Sequence, residues 1–288
     1  MPTHSPTMRR RRLAAELRRL REGAALTQED VAGRLEWDPS KLSRIENRQV
    51  GIIARDLRKL LDMYEVTDEA QREVYFAMAR EGKQRAWWQQ SFGDVIPSEY
   101  GTLIGLESEA VTISNYAQEL VPGLLQTEDY ARAVVRAVRP DDTAEEISRR
   151  AEVRLARQGV FTRADPPRLW AVINEAALRR VVGGPAVMAA QLRALAAERE
   201  RTVVTVQVLP FSAGEHPAMT GSFVILDFAA PDPGAVYVES AWSALFLERA
   251  ADVQHYAEAF RFVQAAALGP KESRDMLVAA AQGLGSRP

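Results

Sequence analysis

The sequence of 288 residues contains no cysteine and only three histidines. Without cysteine, the chain can form no disulfide bond, no thiolate zinc site and no thiol nucleophile. The histidines, His4, His216 and His255, are scattered and do not have the spacing of metal ligands. We therefore expect no metal site.

Long apolar runs are also missing. No stretch approaches the roughly 18 apolar residues that a membrane-spanning helix needs. The N-terminus is polar and then basic, unlike a signal peptide. We expect a cytoplasmic protein without a membrane partner.

Catalytic patterns are the third absence. The sequence has no Gly-rich phosphate loop after a strand and no nucleophile elbow. Residues 183–185 (GGP) lie between predicted helices and are typical of a helix boundary. The sequence therefore predicts neither an enzyme nor a cofactor.

The net charge of −2 conceals an uneven distribution of charge. Residues 1–90 hold 18 Lys and Arg against 14 Asp and Glu, whereas the remainder holds 19 against 25. A basic N-terminal part joined to an acidic remainder suits a nucleic-acid-binding domain attached to a second domain.

Residues 26–47 predict two short helices with a tight bend between them. Thr27 is of a type that favours the N-cap, and Asp30 follows at the spacing of a capping box. Val31 and Leu35 share one face of the first helix at i, i+4.

The second helix is predicted to begin at Pro39, because Asp38 can cap it and proline fits the first helical position. Leu42 and Ile45 form its apolar stripe. Small polar and basic side chains on the other face suit the major groove of DNA. A helical hairpin with a solvated face has the same local pattern. The residues of this face are Ser40, Lys41, Ser43 and Arg44.

The stretch resembles the Cro/CI-type helix-turn-helix of the xenobiotic-response-element (XRE) family. The matching residues are 26–32 (LTQEDVA) and 43–47 (SRIEN). Glu36 departs from the family pattern, which usually has glycine in the turn. A glutamate there must avoid a left-handed backbone or be strained.

The resemblance implies that Arg21 and Glu46 form a structural ion pair and that Gln28 contacts a DNA phosphate. Two copies are expected to bind a near-palindromic operator, with Arg44 and Lys41 as base contacts. The further predicted DNA contacts are Asp38, Ser40, Ser43, Asn47 and Arg48.

Four consecutive arginines precede the apolar stripe of the first predicted helix. They form either an arm that reaches phosphates or the minor groove, or a solvated helix start. Positive charge at a helix N-terminus opposes the helix dipole, which favours a functional reason. We therefore include Arg9, Arg10, Arg11 and Arg12 among the predicted DNA contacts.

The chain divides into four predicted segments. They are a disordered tail (residues 1–7), an all-α five-helix DNA-binding domain (8–82), a linker (83–98) and a C-terminal domain (99–288). The C-terminal domain is predicted to be α+β, with a small sheet packed by helices, because its strands follow helices without strict alternation. Residues 100–117 are predicted as helix, and the arginines of a helix at 143–159 as a solvated face.

Candidate ligand-binding residues lie after two predicted strands of the C-terminal domain. Asn174, Glu175 and Arg179 either orient a small molecule at the rim of the sheet or cap and pair within the next helix. His216 lies in a loop that is either a lid over a pocket or a plain turn.

The second half also resembles one family of actinobacterial regulators, the WhiJ-like, antitoxin-like XRE proteins. The residues that carry the resemblance are 121–128 (VPGLLQTE), 172–179 (VINEAALR), 206–211 (VQVLPF), 221–223 (GSF) and 236–239 (VYVE).

Together the two resemblances imply a DNA-binding transcriptional regulator, which we expect to lie at the nucleoid. We expect it to be a dimer, because one small helix-turn-helix seldom binds DNA tightly alone. Its partner is double-stranded DNA, and its C-terminal domain senses a protein or a small molecule. The alternative is an antitoxin-like protein that mainly binds a small acidic partner protein and regulates its own operon.

Overall fold

The computed structural model describes residues 6–47, 50–82, 87–198, 202–229, 234–240 and 243–285. The chain forms two compact units, residues 1–90 and 91–288. Within the described residues, the first unit is helical and the second contains a six-stranded mixed sheet packed by helices. The predicted fold class of both parts is confirmed.

Helices α1 to α5 build the first unit. The predicted tail overlaps α1, which begins at Pro6. The bounds are α1 (Pro6–Gly23), α2 (Gln28–Leu35), α3 (Pro39–Glu46), α4 (Ala54–Met63) and α5 (Glu69–Glu81).

Local capping places α2 and α3. The Thr27 hydroxyl accepts from the Asp30 N–H at 3.0 Å, and the Asp30 carboxylate accepts from the Thr27 N–H at 2.8 Å. Asp38 caps α3 by accepting from the Ser40 N–H at 2.9 Å. Both helices therefore begin where the sequence predicts.

The turn between α2 and α3 contains a left-handed residue. Glu36 has φ 53° and ψ 42°, a region that favours glycine. The glutamate therefore does not avoid the left-handed backbone, and the turn is strained.

The core of the first unit is made by the inward faces of its helices. Apolar side chains recur at the spacing of one helix face and leave the polar residues outside. The most fully buried members are Leu17, Val31, Leu42, Leu57, Leu60 and Leu61.

A short helix, α6 (Trp87–Phe92), lies within the stretch that was predicted as a linker. The helices of the second unit that follow it are α7 (Ser98–Glu107), α8 (Glu128–Val138), α9 (Ala144–Arg157), α10 (Glu175–Arg179), α11 (Pro185–Ala197), α12 (Ala250–Ala266) and α13 (Pro270–Gly285).

The sheet has the strand order β3-β2-β1-β4-β5-β6. Strands β1, β2 and β3 are parallel, and the remaining neighbours are antiparallel. Helices α8 and α9 connect β1 to β2, and α10 and α11 connect β2 to β3. The strands are β1 (Thr112–Ala117), β2 (Arg168–Asn174), β3 (Val204–Leu209), β4 (Phe223–Asp227), β5 (Ala235–Glu239) and β6 (Ala244–Leu247).

The prediction of one helix over residues 100–117 is wrong. Helix α7 ends at Glu107, and residues 112–117 form β1 between β2 and β4. Ile113 and Tyr116 are fully buried in this strand. Hydrogen bonding to two neighbouring strands decides the conformation, and the local apolar spacing does not show it.

The arginines of α9 are not a solvated face. Arg149 pairs with Asp94 at 2.5 Å, and Arg157 pairs with Glu107 at 2.6 Å. The Arg157 and Glu107 side chains are almost fully buried. Asp94 and Glu107 are distant in the sequence from the arginines that they contact. The spacing of charges within α9 therefore does not predict these ion pairs.

Candidate nucleic-acid interface and sheet-edge pocket

Helix α3 buries one face and presents the other. Leu42, Ile45 and Glu46 are buried, whereas Ser40 and Arg44 are exposed. The Arg44 side chain is 50% exposed, and its guanidinium lies 4.0 Å from the Asp38 carboxylate. Among the described residues, this loose and solvated contact is the ion pair that Arg44 forms.

Asp38 stabilises the start of this helix. Hydrogen bonds from the Ser40 hydroxyl and backbone N–H lower the pKa of the Asp38 carboxyl. At the other end, the Asn47 amide donates to the Ser43 hydroxyl at 3.1 Å. Arg48, also predicted to contact DNA, lies outside the described residues.

Lys41 points its ammonium group towards α4. Nζ lies 2.6 Å from the buried carboxylate of Asp56 and 3.9 Å from the centroid of the Trp37 ring. The carboxylate and the face of the aromatic ring both attract its positive charge. Lys41 is therefore engaged within the protein, unlike Arg44.

A buried carboxylate joins α1, α2 and α3. Arg21 donates to the two oxygens of Glu46 at 2.7 and 3.1 Å, and Gln28 donates to one of them at 2.7 Å. The hydrogen bonds to Glu46 raise the pKa of Arg21. The pair implied by the family resemblance is thus present in the structure, and Gln28, implied as a phosphate contact, belongs to the same cluster.

The arginines at residues 9–12 belong to helix α1. The Arg9 guanidinium lies 2.6 Å from the Glu81 carboxylate, and Arg10 donates to the Gly82 carbonyl at 2.9 Å. Arg11 is buried, and Arg12 is half-buried. Arg9 and Arg10 thus fasten the start of α1 to the end of α5, which is not the geometry of an extended arm.

The second unit has a cavity of about 300 Å³ at the carboxyl ends of its parallel strands. Gln118 follows β1, and Asn174 is the last residue of β2. The loop after β3 supplies the opposite side of the cavity. The other lining residues are Glu119, Ala176, Pro210, Phe211, Gly214, His216 and Met219.

A chain of polar groups leads from Asn174 to His216. The Asn174 side chain caps α10 by accepting from the Ala176 N–H at 2.9 Å, and its amide lies 3.5 Å from the Tyr116 hydroxyl. That hydroxyl lies 3.4 Å from Nε2 of His216. Burial lowers the pKa of His216 and so favours the neutral imidazole.

Glu175 and Arg179 do not line the cavity. Glu175 is buried and accepts from the Phe211 N–H at 2.9 Å. Its other oxygen accepts from Arg179 at 2.8 Å. Glu175 therefore fixes the loop that carries Phe211. Sequence reasoning identifies Asn174 and His216. It misses Gln118, because β1 is predicted as helix, and it misses Phe211, because a phenylalanine after a strand carries no polar signal of a site.

Among the described residues, no group of three or more His, Asp or Glu side chains could hold a metal ion. None of their helices is both long and apolar enough to span a membrane.

Each of the two units matches the model of a known protein family. Residues 12–74 match the model of a helix-turn-helix domain, which indicates a DNA-binding regulator. Residues 100–278 match the model described as a domain of unknown function (DUF5753). No curated protein and no solved structure matches the chain.

Proposed function

The chain belongs to the DUF5753 family, and we propose that it is a transcriptional regulator that binds a near-palindromic operator as a dimer. In this proposal the helix-turn-helix unit recognises the DNA sequence. The C-terminal unit senses a signal and controls the binding.

The observation that carries the proposal is the orientation of α3. The buried cluster of Arg21, Gln28 and Glu46 fixes one face of this helix against α1 and α2. The opposite face presents Ser40 and Arg44 to solvent. An exposed helix with short polar side chains and one extended arginine fits the major groove.

We assign the base contact first to Arg44. Its guanidinium is half exposed and only loosely paired, so it can form two parallel hydrogen bonds with O6 and N7 of guanine. Ser40 and Ser43 assist at neighbouring bases. Lys41 is the weaker base contact, because leaving Asp56 would strip a buried carboxylate of its partner.

Phosphate contacts would set the position of α3 in the groove. We assign them to Asn47 and Arg48, which follow α3 in the sequence, and to Gln28 at the start of α2. These contacts carry no sequence information themselves. A single small unit makes few such contacts, and we therefore infer that two copies bind together.

The proposal predicts the effect of removing Arg44. Arg44→Ala should weaken binding to a preferred site by about 1–3 kcal/mol and relax the preference at one base position. The measurement is the affinity of the full chain for the preferred site and for single-base variants of it.

Arg80→Ala is the matched control. Arg80 is an exposed arginine on α5, and its guanidinium lies 2.9 Å from the exposed Glu73 carboxylate. Both variants lose one positive charge, so they share any general electrostatic weakening. Equal loss of affinity in the two variants, or equal weakening by Arg44→Ala on every sequence, would show that Arg44 does not contact a base.

A further inference from the structure

The cavity at the edge of the sheet has the position and size of a small-molecule site. In open sheets with parallel strands, ligands bind outside the carboxyl ends of the strands. The volume of about 300 Å³ lies at the lower end of the range for ligand pockets. We propose that this cavity binds an uncharged, planar heteroaromatic molecule with adjacent hydrogen-bond donor and acceptor groups. The assignment deepens the proposed sensing role and rests on it.

The charges around the cavity disfavour an ionic ligand. The described lining contains no lysine or arginine, so an anion has no cation within the cavity to pair with. Its one carboxylate, Glu119, already forms an ion pair with Arg180. Taking an unpaired charge from water into such a site is unfavourable.

The polar groups of the lining suit a neutral molecule. The side-chain amide of Gln118 both donates and accepts hydrogen bonds. Asn174 uses its oxygen to cap α10 and directs one amide N–H at the Tyr116 hydroxyl, so its second N–H is left for another acceptor. A ligand with a donor beside an acceptor, such as a lactam or a primary amide on a ring, matches this pair.

Two apolar side chains at the cavity favour a planar ring. Phe211 is 60% exposed and Met219 is 58% exposed, both in the loop that follows β3. A phenyl ring stacks on aromatic ligands, and a thioether packs well against ring edges. The hydrogen bond from the Phe211 backbone N–H to the buried Glu175 carboxylate holds this loop in place.

The test is direct binding of small probes to the full chain, measured by saturation-transfer NMR without DNA. The uncharged probes are nicotinamide, 2-pyridone and uracil. Nicotinate and benzylamine are the charged counterparts. We expect binding of at least one uncharged probe and much weaker binding of the charged ones.

Variants locate the binding at the cavity. Phe211→Ala should lower the affinity for the probe by about threefold to tenfold, which is the contribution of one stacked ring. Phe262→Ala is the matched control, since this phenylalanine is 55% exposed on α12 and does not line the cavity. Ala176→Leu places a larger side chain in the lining and should abolish binding. Unchanged circular dichroism shows that each variant is folded.

Three outcomes overturn the proposal. They are no binding of any uncharged probe, equal or tighter binding of a charged probe, and binding that neither Phe211→Ala nor Ala176→Leu weakens. DNA affinity is measured separately. Probe binding that leaves DNA affinity unchanged supports the site but removes its sensing role. Failure to bind DNA, with probe binding intact, contradicts only the proposed regulator.

Discussion

At the scale of single residues, the carboxylate of Glu46 joins three helices of the first unit. Three hydrogen bonds from Arg21 and Gln28 reach it in a buried setting. Arg21 also donates to the Leu26 carbonyl at 2.7 Å, just before α2 begins. A buried ion pair adds little net stability over an apolar pair, but removing one partner leaves an uncompensated charge.

Arg21→Ala should therefore destabilise the first unit by about 3–5 kcal/mol. The control is Arg18→Ala, which breaks an exposed pair with Glu22 on the same helix and should change stability by about 0–1 kcal/mol. Hydrogen exchange read by mass spectrometry on peptides of α1 to α3 measures both changes in the intact chain. Similar protection in the two variants would contradict the structural role of the pair.

The pair could be predicted from the sequence only through the family resemblance, since Arg21 and Glu46 lie on separate helices. The role of Lys41 could not be predicted in this way. Its residue type and its position on α3 both suit DNA, but the structure adds Asp56 from α4 and the ring of Trp37. A contact between helices of this kind leaves no signal in local spacing.

At the scale of elements, the turn between α2 and α3 stores strain. Glu36 adopts a left-handed backbone at φ 53°. This conformation costs a non-glycine residue about 1–2 kcal/mol. A glycine avoids that cost, but its greater freedom in the unfolded chain cancels part of the gain in stability.

Glu36→Gly should thus stabilise the first unit by about 0.5–1 kcal/mol. Glu29→Gly is the matched control, because Glu29 is an exposed residue in the first turn of α2. Glycine within a helix is unfavourable, and the control should lose about 1 kcal/mol. The same hydrogen-exchange measurement gives both values, and a loss of stability in Glu36→Gly would refute the strain.

Elements with local signals could be predicted closely. The starts of α2 and α3 depend on Thr27 and Asp38, which act within three residues of their own position. Strand β1 depends instead on pairing with β2 and β4, which are distant in sequence. It was therefore missed, although its neighbour strands were found.

At the scale of the whole molecule, the two units have different proposed roles. The first unit carries the helix that would enter DNA. In the second unit, three parallel strands end at one edge and bring Asn174 and His216 to a common cavity. The sequence marked both residues as candidates, but only the sheet order shows that they meet.

The fold class of both units could be predicted because helix periodicity and strand composition are local properties. The roles of Arg9 and Arg10 could not be predicted, because their partners are distant in the sequence. Glu81 is the last residue of α5, and Gly82 follows it. The cavity could not be predicted either, since its lining comes from three separate segments of chain.

Selection of binding sites from random DNA with the full chain tests the central claim most directly. The account predicts enrichment of two inverted half-sites whose centres lie about one helical turn, or ~10 base pairs, apart. Each half-site should contain a guanine whose replacement no longer matters in Arg44→Ala. Enrichment of no sequence, or a single half-site bound as tightly as the pair, would contradict the account.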